Sequence, residues 1–124
     1  MQNDRKITIT TGSSRKATQW NAQQLRWSEL VAKLATPMRG TETLEEYLKL
    51  PKPKQDSLKD VGGYVAGTLE GRQRKASAVT GREVVTLDMH NIAPGGTQGV
   101  LQRIEGLNCA YCVYSTRKHS EAAP

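Results

Sequence analysis

Residues 83–115 read EVVTLDMHNIAPGGTQGVLQRIEGLNCAYCVYS, and their pattern decides the fold expected for the chain. Residues 83–89 (EVVTLDM) combine β-branched and apolar side chains in the strongest strand pattern of the sequence. Residues 91–96 (NIAPGG) have loop composition. Residues 97–105 set Val100, Leu101 and Ile104 on one face of a short helix that Gly106 stops. Residues 109–115 (CAYCVYS) read as another strand. Strand, helix, strand is the unit from which mixed or parallel sheets are built. The expected class is therefore α+β, a mixed sheet with short flanking helices.

The rest of the chain extends that pattern toward the N-terminus. Residues 64–69 (YVAGTL) predict a strand reached through Gly62 and Gly63, and Arg72, Arg74 and Lys75 follow it in a loop or hairpin. Residues 6–10 (KITIT) alternate β-branched side chains and predict a short strand, followed by a basic loop of Gly12, Ser13, Ser14, Arg15 and Lys16. Leu30, Val31 and Leu34 recur at helical spacing over residues 28–35, with Ser28 as the cap and Pro37 and Gly40 as terminators. Thr43 and Glu46 have capping-box spacing ahead of Tyr47 and Leu48, so a second helix starts there. Pro51 and Pro53 make a loop or a broken helix. No internal repeat is present. The organisation expected is one domain over residues 1–124, with a leading α/β unit at 6–60 and a strand-loop-strand-helix-strand unit at 61–124. The tail after Ser115 (TRKHSEAAP) stops in mid-pattern, as in a domain left incomplete at its C-terminus.

Composition narrows the partners. Lys and Arg number 18 against 12 Asp and Glu, a formal net charge of +6. Such a surplus raises a positive potential that concentrates polyanions, so nucleic acid is the first partner to consider. Hydrophobic residues are 36% and Phe is missing, so the core rests on Leu, Val, Ile, Ala, Tyr and Trp. The N-terminal MQNDRKITIT has no apolar segment of a secretory signal, and no apolar run approaches membrane-spanning length. With two cysteines and no export signal, the expected setting is the reducing cytoplasm, with free buried thiols and no membrane partner.

Several side chains are candidates for chemistry. Asp88 ends the apolar strand pattern, where open α/β sheets place metal and phosphate sites, and His90 falls on the same face at period two. The pair can converge on one cation; alternatively Asp88 caps the loop at Asn91 and His90 is an exposed turn residue. Ser115, Thr116, Arg117, Lys118 and His119 offer hydroxyls, fixed cations and an imidazole for a triphosphate or backbone phosphate. They also suit a solvated basic loop. Cys109 and Cys112 with His90 and His119 include acceptable zinc ligands, but residues three apart on a strand point to opposite faces. Zinc is accordingly disfavoured. Trp20 and Trp27 flank NAQQLR, where core packing is preferred over base stacking. Arg15, Lys16, Arg72, Arg74 and Lys75 are the candidate contacts to a phosphate backbone, and Arg72, Arg74 and Lys75 suit a solvated loop equally well.

The stretch VVTLDMHNIAPGG through GVLQRIEGLNCAYCVYSTRKHS, with TITTGSSRKATQW and GGYVAGTLEGRQRK upstream, resembles the archaeo-eukaryotic primase-like N-terminal region of phage and prophage replication proteins, the virulence-associated E type. The resemblance implies an RRM-like primase core, in which a strand ending in Asp-x-Asp supplies metal-binding carboxylates and a Ser-x-His-type motif meets the incoming nucleotide. Asp88 matches the first acidic position, and His119, preceded by Ser115 and Thr116, is similar to the second motif with looser spacing. His90 stands where the second Asp is expected, and the third acidic residue would lie beyond Pro124. An imidazole there removes a charge and shifts preference from Mg²⁺ toward softer ions such as Mn²⁺.

On that resemblance the chain is a fragment of a phage-type DNA primase-polymerase, a nucleotidyltransferase of mobile-element DNA replication. Asp88 and His119 would be its catalytic residues, Asp88 and His90 its Mg²⁺ or Mn²⁺ ligands, and Ser115, Thr116, Arg117 and Lys118 its triphosphate contacts. Implied partners are single-stranded or primed DNA, nucleoside triphosphates and a helicase or ATPase region of the same polypeptide. The isolated chain is expected to be inactive. Two alternatives stay open: a catalytically degenerate single-stranded nucleic-acid-binding module of the same fold, and a small zinc-binding interaction domain.

Overall fold

In the computed structural model, residues 3–124 are described, and they divide into two units, Met1–Thr86 and Leu87–Pro124. The first unit is built on β1 (Lys6–Gly12), whose β-branched alternation the sequence announces. Strand β2 (Asn21–Arg26) pairs antiparallel along one edge of it, Lys6 opposite Arg26 and Thr11 opposite Asn21. Strand β3 (Gly63–Val65) pairs antiparallel along the other edge, Thr10 opposite Val65 and Gly12 opposite Gly63. Ile7 and Ile9 share one face at period two and pack with Leu25 and Leu30, while Trp27, Leu34, Tyr64 and Val84 close over them.

A second sheet pairs β4 (Gly67–Leu69) antiparallel with β5 (Val79–Arg82), with a bulge between Thr68 and Leu69. The predicted strand at 64–69 is therefore two strands in different sheets, broken at buried Ala66. Buried Thr10 ties the sheets together by donating its hydroxyl to the Gly67 carbonyl at 2.7 Å. Both sheets are wholly antiparallel, so the expected mixed sheet is replaced by two antiparallel ones within an α+β unit.

Two of the three helices of this unit lie where their sequence signals place them. Helix α1 (Trp27–Ala35) buries Leu30. It begins one residue before Ser28, where the Arg26 amide donates to the Glu29 carboxylate; Ser28 gives its own amide and hydroxyl to Asp4, at 2.8 and 2.6 Å. In α2 (Leu44–Lys49) the capping box is complete, Glu46 N–H to Thr43 Oγ1 and Thr43 N–H to Glu46 Oε2. The segment expected to be a loop or broken helix is helix α3 (Lys52–Lys59). Pro51 and Pro53 start it without penalty, because the amides they lack have no intrahelical acceptor in the first turn.

Residues 83–89 do not form the expected strand. Glu83 takes the place of a ladder partner: its amide donates to Ala66 O, its carboxylate accepts from the Thr8 amide, and its carbonyl accepts from Arg5. Val84 joins the core. Beyond it the chain finds no partner strand, and Val85 and Leu87 are 81% and 71% exposed. Strand propensity without a ladder to join does not make a strand.

The second unit, Leu87–Pro124, holds α4 (Thr97–Glu105), which matches its prediction, with Val100, Leu101 and Ile104 half-buried. A tight turn leads into it, Gly96 N–H to Ala93 O at 2.8 Å, with Gly95 in the left-handed region at φ 79°. After it, Asn108 adopts φ 51° and Asn108 N–H reaches Glu105 O. Residues 109–115 are irregular, so the second expected strand is missing for the same reason as the first, and of the strand-helix-strand unit the helix alone is present.

Candidate nucleic-acid interface

Two basic loops meet at one end of the three-stranded sheet. Residues 13–20 connect β1 to β2, and residues 70–78 connect β4 to β5. The meeting point is Trp20, 3% exposed, which settles its role as core rather than as a stacking platform. Its backbone amide donates to the Arg72 carbonyl at 2.8 Å, and its indole N–H donates to Ala17 O at 3.0 Å. The ring lies against Gly12, where a Cβ would stand 2.4 Å from Cε2. Any side chain at residue 12 would occupy the space of the indole, which is why glycine stands there.

The cations are arranged around this tryptophan. The Arg74 guanidinium sits 5.2 Å from the Trp20 ring centroid, within cation–π range, which holds a long side chain down while leaving its outer edge wet. Arg72 reaches across to the first hairpin and donates to Asn21 Oδ1 at 3.1 Å and Gln19 Oε1 at 3.4 Å. Arg15, Lys16, Arg72, Arg74 and Lys75 are all exposed. The sequence-predicted phosphate contacts from residues 15–16 and 72–75, far apart in the chain, therefore belong to two loops locked to each other. Sequence reasoning missed Gln19 and Asn21 as the partners that orient Arg72, since the polar run around Trp20, residues 18–24, gives no strand or contact signal of its own.

A third connection abuts the first loop. Asp60, just after α3, accepts from Ser14 Oγ at 2.5 Å and from the Arg15 amide at 2.7 Å. The Ser14 hydroxyl foremost, then the Arg15 and Gly62 amides, hold the Asp60 carboxyl below the usual carboxylate range against the opposing effect of burial. Asp60 was not singled out by the sequence, where it reads as one more surface charge.

The remaining candidates lie in the second unit. Asp88 and His90 come together, Nε2 to Oδ2 at 3.0 Å, on an exposed irregular segment rather than at a strand end. The contact spends one polar atom of each, and among the described residues no cluster of three or more His, Cys, Asp or Glu could hold a metal ion. The donors described do not by themselves fit the oxygen-rich shell that Mg²⁺ requires. Ser115, Thr116, Lys118 and His119 are exposed, Arg117 is half-buried, and the His119 amide closes a turn onto Thr116 O at 3.1 Å. Cys109 is exposed and Cys112 half-buried, both free thiols, which corrects the expectation of buried thiols. Without a strand at 109–115, nothing exists there to bury them.

Among the described residues no helix is long and apolar enough to cross a membrane. Comparison with curated proteins and with solved structures gave no significant match. A family model, the VapE N-terminal domain, matches residues 1–124. The chain thus belongs to the VapE N-terminal domain family, the N-terminal region of the virulence-associated E proteins.

Proposed function

We propose that this chain is a single-stranded nucleic-acid-binding module of a phage-type replication protein, with the two Trp20-linked loops as its contact surface. The observation that carries this is the mutual locking of residues 13–20 and 70–75 through the Trp20–Arg72 hydrogen bond and the Arg74–Trp20 contact. Fixed cations on a rigid platform bind phosphates with little ordering cost, whereas cations on free loops lose that entropy on binding. The formal charge of +6 supplies the long-range attraction. Family membership supports the replication setting.

The test is fluorescence anisotropy of a labelled single-stranded oligonucleotide across a salt series. Contacts from the five exposed cations Arg15, Lys16, Arg72, Arg74 and Lys75 give a slope of log K against log salt approaching about −3.5, at roughly 0.7 per phosphate. Absence of binding at low salt overturns the reading.

A second reading is the nucleotidyltransferase that the family resemblance implies, with the RRM-like primase core that goes with it. The convergence of Asp88 on His90 favours it. In that reading Asp88 and His90 hold Mg²⁺ or Mn²⁺ with ligands from elsewhere in the polypeptide, His119, Ser115, Thr116, Arg117 and Lys118 orient a nucleoside triphosphate, and a helicase or ATPase region follows. A bound divalent metal would supply charge neutralisation at the phosphates. Mn²⁺ broadening at Asp88 and His90 followed by nucleotide-induced shifts at residues 115–119 is its expected signature. Mn²⁺ that leaves these resonances untouched counts against it.

A further inference from the structure

The proposed interface has cations at its surface and one carboxylate beneath its first loop. That carboxylate, Asp60, accepts from the Ser14 hydroxyl at 2.5 Å and from the Arg15 backbone amide at 2.7 Å. Ser14 Oγ in turn accepts from the Lys16 amide at 3.1 Å, so one carboxylate organises three consecutive residues of the basic loop. The corner that carries Asp60 is itself fixed against the same loop. Gly62 adopts φ 91° and lies so close that a Cβ there would stand 2.7 Å from Gly12 O and 3.2 Å from Ser13 O. Side chain and backbone of the segment 60–62 therefore grip residues 12–16 from two directions.

Two physical roles are open to a half-buried carboxylate beside a cationic patch, and they have opposite signs. As a counter-ion, Asp60 would neutralise Arg15, whose charge acts on both Asp56 and Asp60. Its removal would then strengthen polyanion binding. As a clamp, Asp60 satisfies donors that would otherwise leave the loop free, and its removal would weaken binding although the net charge rises by one from +6. The geometry favours the clamp, because the carboxylate oxygens are spent on the Ser14 hydroxyl and the Arg15 amide, and neither is held by the Arg15 guanidinium.

We infer that Asp60 is a positioning residue for the nucleic-acid-binding loop, presenting Arg15 and Lys16 to phosphates by clamping Ser14 and the Arg15 amide. The inference rests on the single-stranded nucleic-acid reading given above. Charge and role are here separated: an acidic residue is required for binding a polyanion.

The experiment is single-stranded oligonucleotide binding by anisotropy, over a salt series, with the intact 124-residue chain and its Asp60→Asn, Asp60→Glu and Ser14→Ala variants. Asp60→Asn should lose affinity on the order of tenfold and its salt slope should become shallower by about 1.4, two phosphate contacts at roughly 0.7 each. Partial unfolding would raise the apparent Kd by the inverse of the folded fraction but leave that slope intact, which separates positioning from a general stability effect. Ser14→Ala, which keeps the charge and removes two clamp bonds, the donation to Asp60 and the acceptor of the Lys16 amide, should lose about fivefold, the low end for two net hydrogen bonds. Asp60→Glu should recover part of the loss. In the Asp60→Asn background, adding Arg15→Ala and Lys16→Ala should cost little more, since coupled residues are not additive. Tighter binding by Asp60→Asn, or an unchanged slope in both Asp60→Asn and Ser14→Ala, overturns the inference. Failure of the unmodified chain to bind overturns the underlying functional reading instead.

Discussion

Replacing Gly12 by Ala tests the packing that joins the basic loops. The new Cβ would stand 2.4, 2.6 and 2.7 Å from Cε2, Cδ2 and Cζ2 of Trp20, so the indole must withdraw by about an ångström to regain ordinary contact. Trp20 has nowhere easy to go: it is 3% exposed, and its amide and indole N–H are bonded to Arg72 O and Ala17 O. Overpacking of a rigid site costs about 1–3 kcal/mol, and weakening those two hydrogen bonds adds about 0.5–1.5 kcal/mol each. Against this, Ala restricts the unfolded chain and returns about 0.4–1 kcal/mol. The net destabilisation should be about 3 kcal/mol, a fall of roughly 12–24 °C in Tm for a domain of this size. Urea unfolding followed by tryptophan fluorescence, in a Trp27→Phe background so that Trp20 alone reports, measures it. A change under about 0.5 kcal/mol, with unaltered Trp20 emission, would refute the claim that Gly12 is required by the indole.

Other outcomes follow from single contacts. Thr10→Val removes the donor to the Gly67 carbonyl and leaves that buried acceptor unpaired, so urea unfolding should show a loss of about 1–3 kcal/mol. The Asp4 carboxyl is held below the usual carboxylate range, first by the Ser28 hydroxyl and then by the Ser28 amide. A depressed folded pKa stabilises above the unfolded value and is lost as pH falls through the folded one. Tm should therefore decline as pH drops below about 4, and Asp4→Asn should start lower at neutral pH and decline less; parallel Tm curves for the two proteins would contradict this. His90→Asp exchanges an imidazole for a carboxylate beside Asp88 and should raise Mg²⁺ affinity in a calorimetric or NMR titration; equal affinity in both versions counts against a metal role for this pair.

How far the sequence could be read depended on whether a signal was local. The Thr43–Glu46 capping box, the apolar stripe of α1 and the Val100–Leu101–Ile104 face of α4 are set within a few residues, and each helix lies where its stripe or cap predicts. Strands depend on a partner far away. NAQQLR pairs with β1 because the hairpin register carries it, with only Leu25 buried, so its polar composition conceals it. EVVTLDM has the composition and lacks the partner, and Glu83 spends its amide and carboxylate on Ala66 and Thr8 instead. At the interface, the cations of residues 15–16 and 72–75 were legible as charge. Their joining through Trp20, and the clamp at Asp60, depend on contacts across some fifty residues of chain that no local pattern encodes.

The central claim is most directly tested by mapping amide shifts of the ¹⁵N-labelled chain on addition of a short single-stranded oligonucleotide. The account predicts shifts concentrated in residues 12–21 and 70–78, centred on the Trp20 and Arg72 amides. Shifts confined to residues 88–90 and 115–119, or none at an oligonucleotide concentration well above the protein's, would contradict it.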